Sequence, residues 1–176
     1  RTGDAAPDKE TAVDGVSLEE DDVSMVTGDN TQLHAVISPD NAADQDITWE
    51  SNKEDVVTVD GNGLLKAVSA GKAKIRVYAA DGKYKADCKV TVYDPIESVS
   101  FTKDTLTLKT GKSKTLKATI SPSKVINDHI SYESSDPSVA TVDENGQVTA
   151  VAAGEATITV TTEDGGLSAS CVVTVE

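Results

Sequence analysis

Ile47-Thr48-Trp49-Glu50-Ser51 returns about 83 residues later as Ile130-Ser131-Tyr132-Glu133-Ser134. The echo extends both ways without a gap. Val16-Ser17-Leu18 falls on Val99-Ser100-Phe101, and Ile37-Ser38-Pro39 on Ile120-Ser121-Pro122. Thr58-Val59-Asp60 with Asn62-Gly63 returns as Thr141-Val142-Asp143 with Asn145-Gly146, and Cys88 lands on Cys171. About 33 of some 81 aligned positions are identical, far more than a chance register supplies. The 176 residues are therefore two copies of one module.

Within each copy the pattern has period two. Leu33, Ala35 and Ile37 alternate with Gln32, His34 and Val36, and Ala73, Ile75 and Val77 alternate with Lys74 and Arg76. Ala156, Ile158 and Val160 do the same in the second copy, and Ala86, Cys88, Val90 and Val92 make a further stripe. Alternation of this kind places one face of a strand in a core and the other in water. Asn62-Gly63 and Asn145-Gly146 supply the positive-φ residues of tight hairpins, and Asp81-Gly82 and Asp164-Gly165 those of the last hairpin. Seven or so short antiparallel strands in about 80 residues predict a two-sheet sandwich, so the fold class is all-β. Aromatics are only 3% of the chain, so Val, Ile, Leu and Ala must fill the core.

The boundaries follow from composition. Residues 1–12 are rich in Asp, Ala, Pro and Lys without periodicity and read as a flexible lead-in. Residues 13–93 and 94–176 are the two modules, joined through Asp94-Pro95 with no Gly/Ser-rich linker, which predicts a semi-rigid rod. Arg1 reads as the start of a mature or excised piece of a longer protein. A net charge of −14 argues against nucleic acid and against docking to an anionic membrane. No run of about 18 apolar residues occurs, so no membrane insertion is expected in this segment.

With these residues in view, the chain resembles the group 2 bacterial immunoglobulin-like domains. The likeness rests on the Ile-Ser-Pro stretches, on Trp49-Glu50-Ser51 and Tyr132-Glu133-Ser134, and on Ser134-Ser135-Asp136-Pro137-Ser138-Val139-Ala140-Thr141-Val142. Ala70-Gly71-Lys72-Ala73-Lys74-Ile75 and Ala153-Gly154-Glu155-Ala156-Thr157-Ile158 complete it. The resemblance implies two tandem immunoglobulin-like β-sandwiches of the kind found in bacterial surface proteins, intimin- and invasin-like adhesins, secreted polysaccharide-degrading enzymes and phage tail proteins. It implies an extracellular or cell-surface location and a structural or adhesive role. The implied partners are further modules of the same parent chain and a host or neighbouring-cell surface protein or glycan. The alternatives are a carbohydrate-binding accessory of a secreted glycoside hydrolase and a phage tail or capsid decoration module.

Residues able to carry chemistry read as structural. Cys88 and Cys171 occupy one equivalent site per copy, so neither module holds a partner thiol, and both are expected as buried free thiols. Trp49 and Tyr132 match each other and are expected as plugs between the sheets. Tyr78 and Tyr93 point outward by parity, each a candidate for a small contact patch, and Lys109, Lys112, Lys114 and Lys117 are further candidate surface contacts. His34 and His129 fall at non-matching positions without a third ligand at metal spacing, and both read as surface residues. Glu19-Glu20-Asp21-Asp22, Asp40, Asp44 and Asp46, and Asp94 with Glu97 lack the spacing of a cation-wrapping loop and read as solvated charge. No nucleophile elbow or phosphate loop occurs, so no catalytic residue, metal or cofactor is expected.

The surfaces of the copies differ. Residues 1–93 carry 10 basic and 18 acidic side chains, and residues 94–176 carry 6 and 12. In the first copy the cations come late, from Lys66 to Lys89; in the second they come early, from Lys103 to Lys124. Such sorting predicts complementary faces that orient neighbouring modules or molecules.

Overall fold

The computed structural model describes residues 11–176. The expected lead-in therefore falls, for residues 1–10, outside the described residues, while the Thr11 carbonyl accepts a hydrogen bond from the Ala43 amide at 2.9 Å. The chain divides into two compact units, the first ending at Asp94 and the second spanning Pro95–Glu176. Each is built from strands alone among the described residues. No helix is long and apolar enough to cross a membrane.

Unit 1 contains β1 (Gly15–Leu18), β2 (Asp22–Val26), β3 (Asn30–Gln32), β4 (Ala35–Ser38) and β5 (Ile47–Ser51). It continues with β6 (Val57–Val59), β7 (Leu64–Ala67), β8 (Gly71–Ala79) and β9 (Lys85–Tyr93). Unit 2 repeats the series as β10 (Ser98–Phe101), β11 (Thr105–Leu108), β12 (Ser113–Thr115), β13 (Ala118–Ser121) and β14 (Ile130–Ser134). It ends with β15 (Ala140–Val142), β16 (Gln147–Ala150), β17 (Gly154–Thr162) and β18 (Ser168–Val175).

In unit 1 a four-stranded sheet in the order β2-β9-β8-β5 faces a layer made of β3-β7-β6 and the β1–β4 pair. Unit 2 has the same arrangement, β11-β18-β17-β14 against β12-β16-β15 and β10–β13. The alternating stripes meet between the layers. Met25, Ile75, Cys88 and Val90 of one sheet pack with Val57, Leu65 and Ala67 of the other. Leu106, Ile158, Cys171 and Val173 pack with Ala140, Val148 and Ala150 in unit 2. Val- and Thr-rich sequence suits this pleated, half-buried geometry. The chain is thus all-β, a tandem pair of sandwiches.

Two features depart from the sequence reading. First, not every pairing is antiparallel. β2 runs parallel to β9, with Asp22 beside Lys89 and Val26 beside Tyr93, and β11 runs parallel to β18. The chain leaves the β1–β4 pair after Leu18 and crosses to the other sheet, arriving in the same direction as the last strand. Switching of this kind also splits the apparent Gln32–Ile37 strand, since β3 pairs with β7 and β4 with β1. Second, no residue other than glycine takes a positive φ among the described residues, so Asn62 and Asn145 do not. Instead Asp60 ties the first hairpin: its Oδ1 accepts from the Asn62 amide at 2.8 Å and the Leu64 amide at 2.9 Å. Asp143 does the same for Asn145 and Gln147. The loop is one residue longer than a two-residue hairpin, so only its last position, Gly63 or Gly146, must be left-handed.

The repeated serine has its own reason. Ser51 Oγ in β5 donates to the Val57 carbonyl in β6 at 2.6 Å, and Ser134 Oγ in β14 donates to the Ala140 carbonyl at 2.6 Å. Each joins one layer to the other, a bond worth about 1 kcal/mol.

Candidate functional site

Cys88 and Cys171 are free and buried, each at 0% exposure and each opposite an isoleucine, Ile75 or Ile158, across the β-ladder. Burial, with the carboxylates of Asp22, Glu20 and Asp21 behind it, pushes the Cys88 thiol up to about 11. Burial and Asp104 raise Cys171. Both therefore stay protonated and apolar, and neither is a nucleophile or a metal ligand near neutral pH.

Trp49 and Tyr132 are half-buried against their cores. Trp49 faces Val77 across the ladder, and its ring lies over Gly63. Its indole Nε1 is buried without an acceptor. Tyr132 lies over Gly146 and stacks with Phe101, ring centroids 6.3 Å apart. Neither ring offers a flat exposed platform. Tyr93 is half-buried at the end of β9, and its carbonyl accepts from the Thr27 amide and hydroxyl. Lys109, Lys112, Lys114 and Lys117 are exposed along the β11–β13 stretch, with no ion pair among the described residues.

The structure gathers two groups that the sequence reading left apart. One is Glu19, Glu20 and His34, whose ligand atoms lie within 4.8 Å of one another. The turn after β1 places them there: the Glu19 amide donates to the His34 carbonyl, and Glu20 Oε2 accepts from the His34 amide at 3.1 Å. His34 Nδ1 is 2.9 Å from Glu20 Oε1 and 3.8 Å from Glu19 Oε2. Imidazole with two carboxylates is a donor set that zinc or manganese accepts, yet these groups already satisfy one another. The contiguous Glu19-Glu20 was visible in the sequence; the β1–β4 register that brings in His34 was not.

This pair titrates in opposite senses. The hydrogen bond to Glu20 raises His34 above its ordinary 6.5, and the same bond lowers Glu20 below its ordinary 4.5. The histidine's contribution is complete below the unfolded value and fades as pH rises through the raised folded one. The glutamate's is complete above its unfolded value and fades as pH falls through the lowered one. In an NMR titration the His34 ring should show a midpoint above 6.5, and Glu20→Gln should bring it down. An unchanged midpoint in Glu20→Gln would show that the bond does not form in solution.

The second group covers the outward face of the β2-β9-β8-β5 sheet. Lys72, Lys74, Arg76 and Tyr78 alternate along β8, and Lys85, Asp87 and Lys89 along β9. Arg76 Nε and a terminal nitrogen donate to Asp87 at 2.6 and 2.9 Å, which holds the Asp87 carboxyl below its usual range. Tyr78 donates its hydroxyl to Glu50 at 3.1 Å. Alternation alone marked Lys74 and Arg76 as outward; the strand register was needed to set them against β9.

Three shallow depressions share Lys74: one of about 340 Å³ beside Glu50, Asn52, Arg76 and Tyr78, one of about 350 Å³ toward Lys53, Lys72 and Lys89, and one of about 320 Å³ toward Asp21 and Asp22. No nucleophile–base pair is seated in any of them.

The family profile described as bacterial Ig-like domain (group 2) matches residues 12–90 and again residues 95–173. An uncharacterized protein of Clostridium acetobutylicum is 30% identical over 160 residues, 90% of this chain and 16% of that protein. An Ig-like virion protein of Serratia phage KSP90 is 31% identical over 169 residues, 93% of this chain and 65% of its own length. An alpha-L-arabinofuranosidase of Bifidobacterium longum subsp. longum is 42% identical over 81 residues, 46% of this chain and 8% of the enzyme. The chain thus spans between 8% and 65% of the length of these relatives.

Proposed function

Because the chain belongs to the bacterial Ig-like domain (group 2) family in both its halves, we propose that it is a non-catalytic repeat pair that spaces or presents other parts of a larger surface or secreted protein. The observation that carries this is which residues repeat. Those kept between copies fill the cores, as Ile75 and Ile158, or turn the chain, as Gly63 and Gly146. Those that face water are exchanged freely: Lys74 for Thr157, Arg76 for Thr159, Lys89 for Val172. A catalytic site or a ligand common to both copies would hold side chains at the surface of both; a spacer needs only the fold.

The connection supports stiffness. Asp94 is held to its own unit by the Thr27 hydroxyl at 3.2 Å, and the Glu97 amide donates to the Ser121 carbonyl at 2.8 Å. Only Pro95 and Ile96 intervene, and the proline ring fixes one of the few free torsions. Small-angle scattering of the 176-residue chain should give a narrow distance distribution, and a ten-residue Gly/Ser insertion after Pro95 should broaden it. Equal breadth in both chains would overturn the semi-rigid spacer.

Two named relatives favour particular parents. The virion protein, matched over 93% of this chain, fits a decoration module on a phage particle. The arabinofuranosidase fits an accessory region of a secreted glycoside hydrolase. In any of these settings the pair would work outside the cell, toward a protein or glycan partner.

A further inference from the structure

We propose that the outward face of the β2-β9-β8-β5 sheet in unit 1 is a docking trough for an anionic polysaccharide that carries carboxylates on its sugar rings. A chain that failed as a stiff spacer would still carry this trough, so the two readings stand or fall separately.

The argument begins from an arrangement the fold does not need. Lys74 and Lys89 are directly opposite partners across the β8–β9 ladder, and Lys72 follows on the same face. Like charges placed so destabilise a sheet. The nearest relief for Lys74 is Asp87 at 3.8 Å, but that carboxylate is already held by two shorter bonds from Arg76. Lys53, Lys72 and Lys89 form no ion pair among the described residues. In unit 2 the same register holds Thr157 opposite Val172, and the sheet forms equally well. The cations are therefore a property of this surface, set on a molecule whose net charge is −14. Asp22, beside Lys89 on β2, and Asp87 offset part of this repulsion, and an anion between Lys74 and Lys89 would offset more of it.

The rest of the trough distinguishes a glycan from an acidic peptide. A peptide docks by adding a strand to a sheet edge, by placing apolar anchors in pockets, or by setting an acidic motif against clustered arginines. This face is the middle of a sheet, with β2 and β5 as its edges; its depressions are lined by lysines, Asn52, Thr91 and the carboxylates of Glu50, Asp21, Asp22 and Asp87, and their one arginine, Arg76, is already bonded to Asp87. Amide, hydroxyl and carboxylate groups suit sugar hydroxyls. Tyr78, its hydroxyl pinned by Glu50, offers an amphipathic ring to a sugar face at one end. A carboxylate on each sugar ring would meet the lysines at about the 5 Å spacing of neighbouring strands.

The test uses calorimetric titration of the 176-residue chain with polygalacturonate, alginate and polyglucuronate. Fully methyl-esterified polygalacturonate and poly-L-glutamate serve as the uncharged-glycan and acidic-peptide controls. Binding to a uronate polymer should weaken with salt and vanish on esterification. Lys74→Thr with Lys89→Val, the residues unit 2 holds there, should weaken it by about tenfold, as expected for two exposed ion contacts with their neighbours. Lys103→Gln with Lys124→Gln removes the same charge elsewhere, at exposed positions, and should leave it unchanged, and thermal unfolding checks that each variant is folded. Tyr78→Thr should weaken uronate binding further. No binding to any of the three uronates overturns the proposal. So does equal affinity for poly-L-glutamate, which would make the face a protein-contact surface, or an equal loss in the Lys103/Lys124 variant, which would reduce the effect to net charge.

Discussion

Gly63→Ala should destabilise unit 1 by about 3 kcal/mol, combining roughly 1–2 kcal/mol for a left-handed backbone with a similar amount for overpacking. The φ at Gly63 is +82°, a region that other residues rarely enter. A methyl group there would also stand 2.6 Å from the Trp49 ring and 3.1 Å from the Leu33 carbonyl. Neither yields cheaply, because the carbonyl belongs to the backbone and the ring is packed on the core. Gly146→Ala repeats the experiment in unit 2, where the clash is 2.7 Å with the Leu116 carbonyl and 2.9 Å with Tyr132. Gly61→Ala, in the same loop with nothing within 4 Å, is the control and should change stability by less than about 0.5 kcal/mol. The chain has one tryptophan, so denaturant unfolding followed by Trp49 fluorescence reads unit 1 alone. A Gly63→Ala variant as stable as the Gly61→Ala one would show that the hairpin can relax around the new methyl.

Ile75→Ala and Ile158→Ala should each cost about 2–5 kcal/mol, the range for emptying a fully buried aliphatic site. Both isoleucines are at 0% exposure, at equivalent points of β8 and β17. A domain of this size holds a net stability of the order of 5–10 kcal/mol, so either loss is a large fraction of the total. The buried thiols give a readout for each unit. Cys88 faces Ile75 and Cys171 faces Ile158, and neither sulfur is accessible until its core opens. Thiol labelling under native conditions, mapped by peptide, should accelerate more than about tenfold at Cys88 in Ile75→Ala and at Cys171 in Ile158→Ala. Unchanged labelling at the facing cysteine would mean that the cavity is filled by rearrangement.

Much of this architecture was legible because burial in a sandwich imposes a period of two, and that period survives in Ala73-Ile75-Val77 and Cys88-Val90-Val92 whatever lies between. Strand direction was not legible. A parallel β2 and an antiparallel one show the same alternation, and only the crossing of the chain between layers sets the sense. Turn chemistry was half legible: Gly63 and Gly146 mark the left-handed position, while the role of Asp60 and Asp143 as the residues that close the loop depends on loop length. The candidate site was the least legible part. Whether Lys74 meets Lys89, or Glu20 meets His34, is fixed by register between strands, and nothing local in either strand records it. Tyr78 and Tyr93 have the same outward parity and are both half-buried, yet Tyr78 lines a depression along β8 while Tyr93 closes β9.

The parallel β2–β9 pair has a mechanical consequence. Tension reaching unit 1 from its N-terminal side enters this pair at Asp22, beside Lys89, and leaves it at Tyr93, beside Val26. Force applied at opposite ends of two parallel strands loads their hydrogen bonds together in shear, whereas pulling both strands from one end would unzip them singly. β11 and β18 repeat the geometry from Thr105 to Val175. Each module thus carries a clamp aligned with its own chain, and with both cysteines unpaired no covalent bond limits how far a module extends once its clamp gives way.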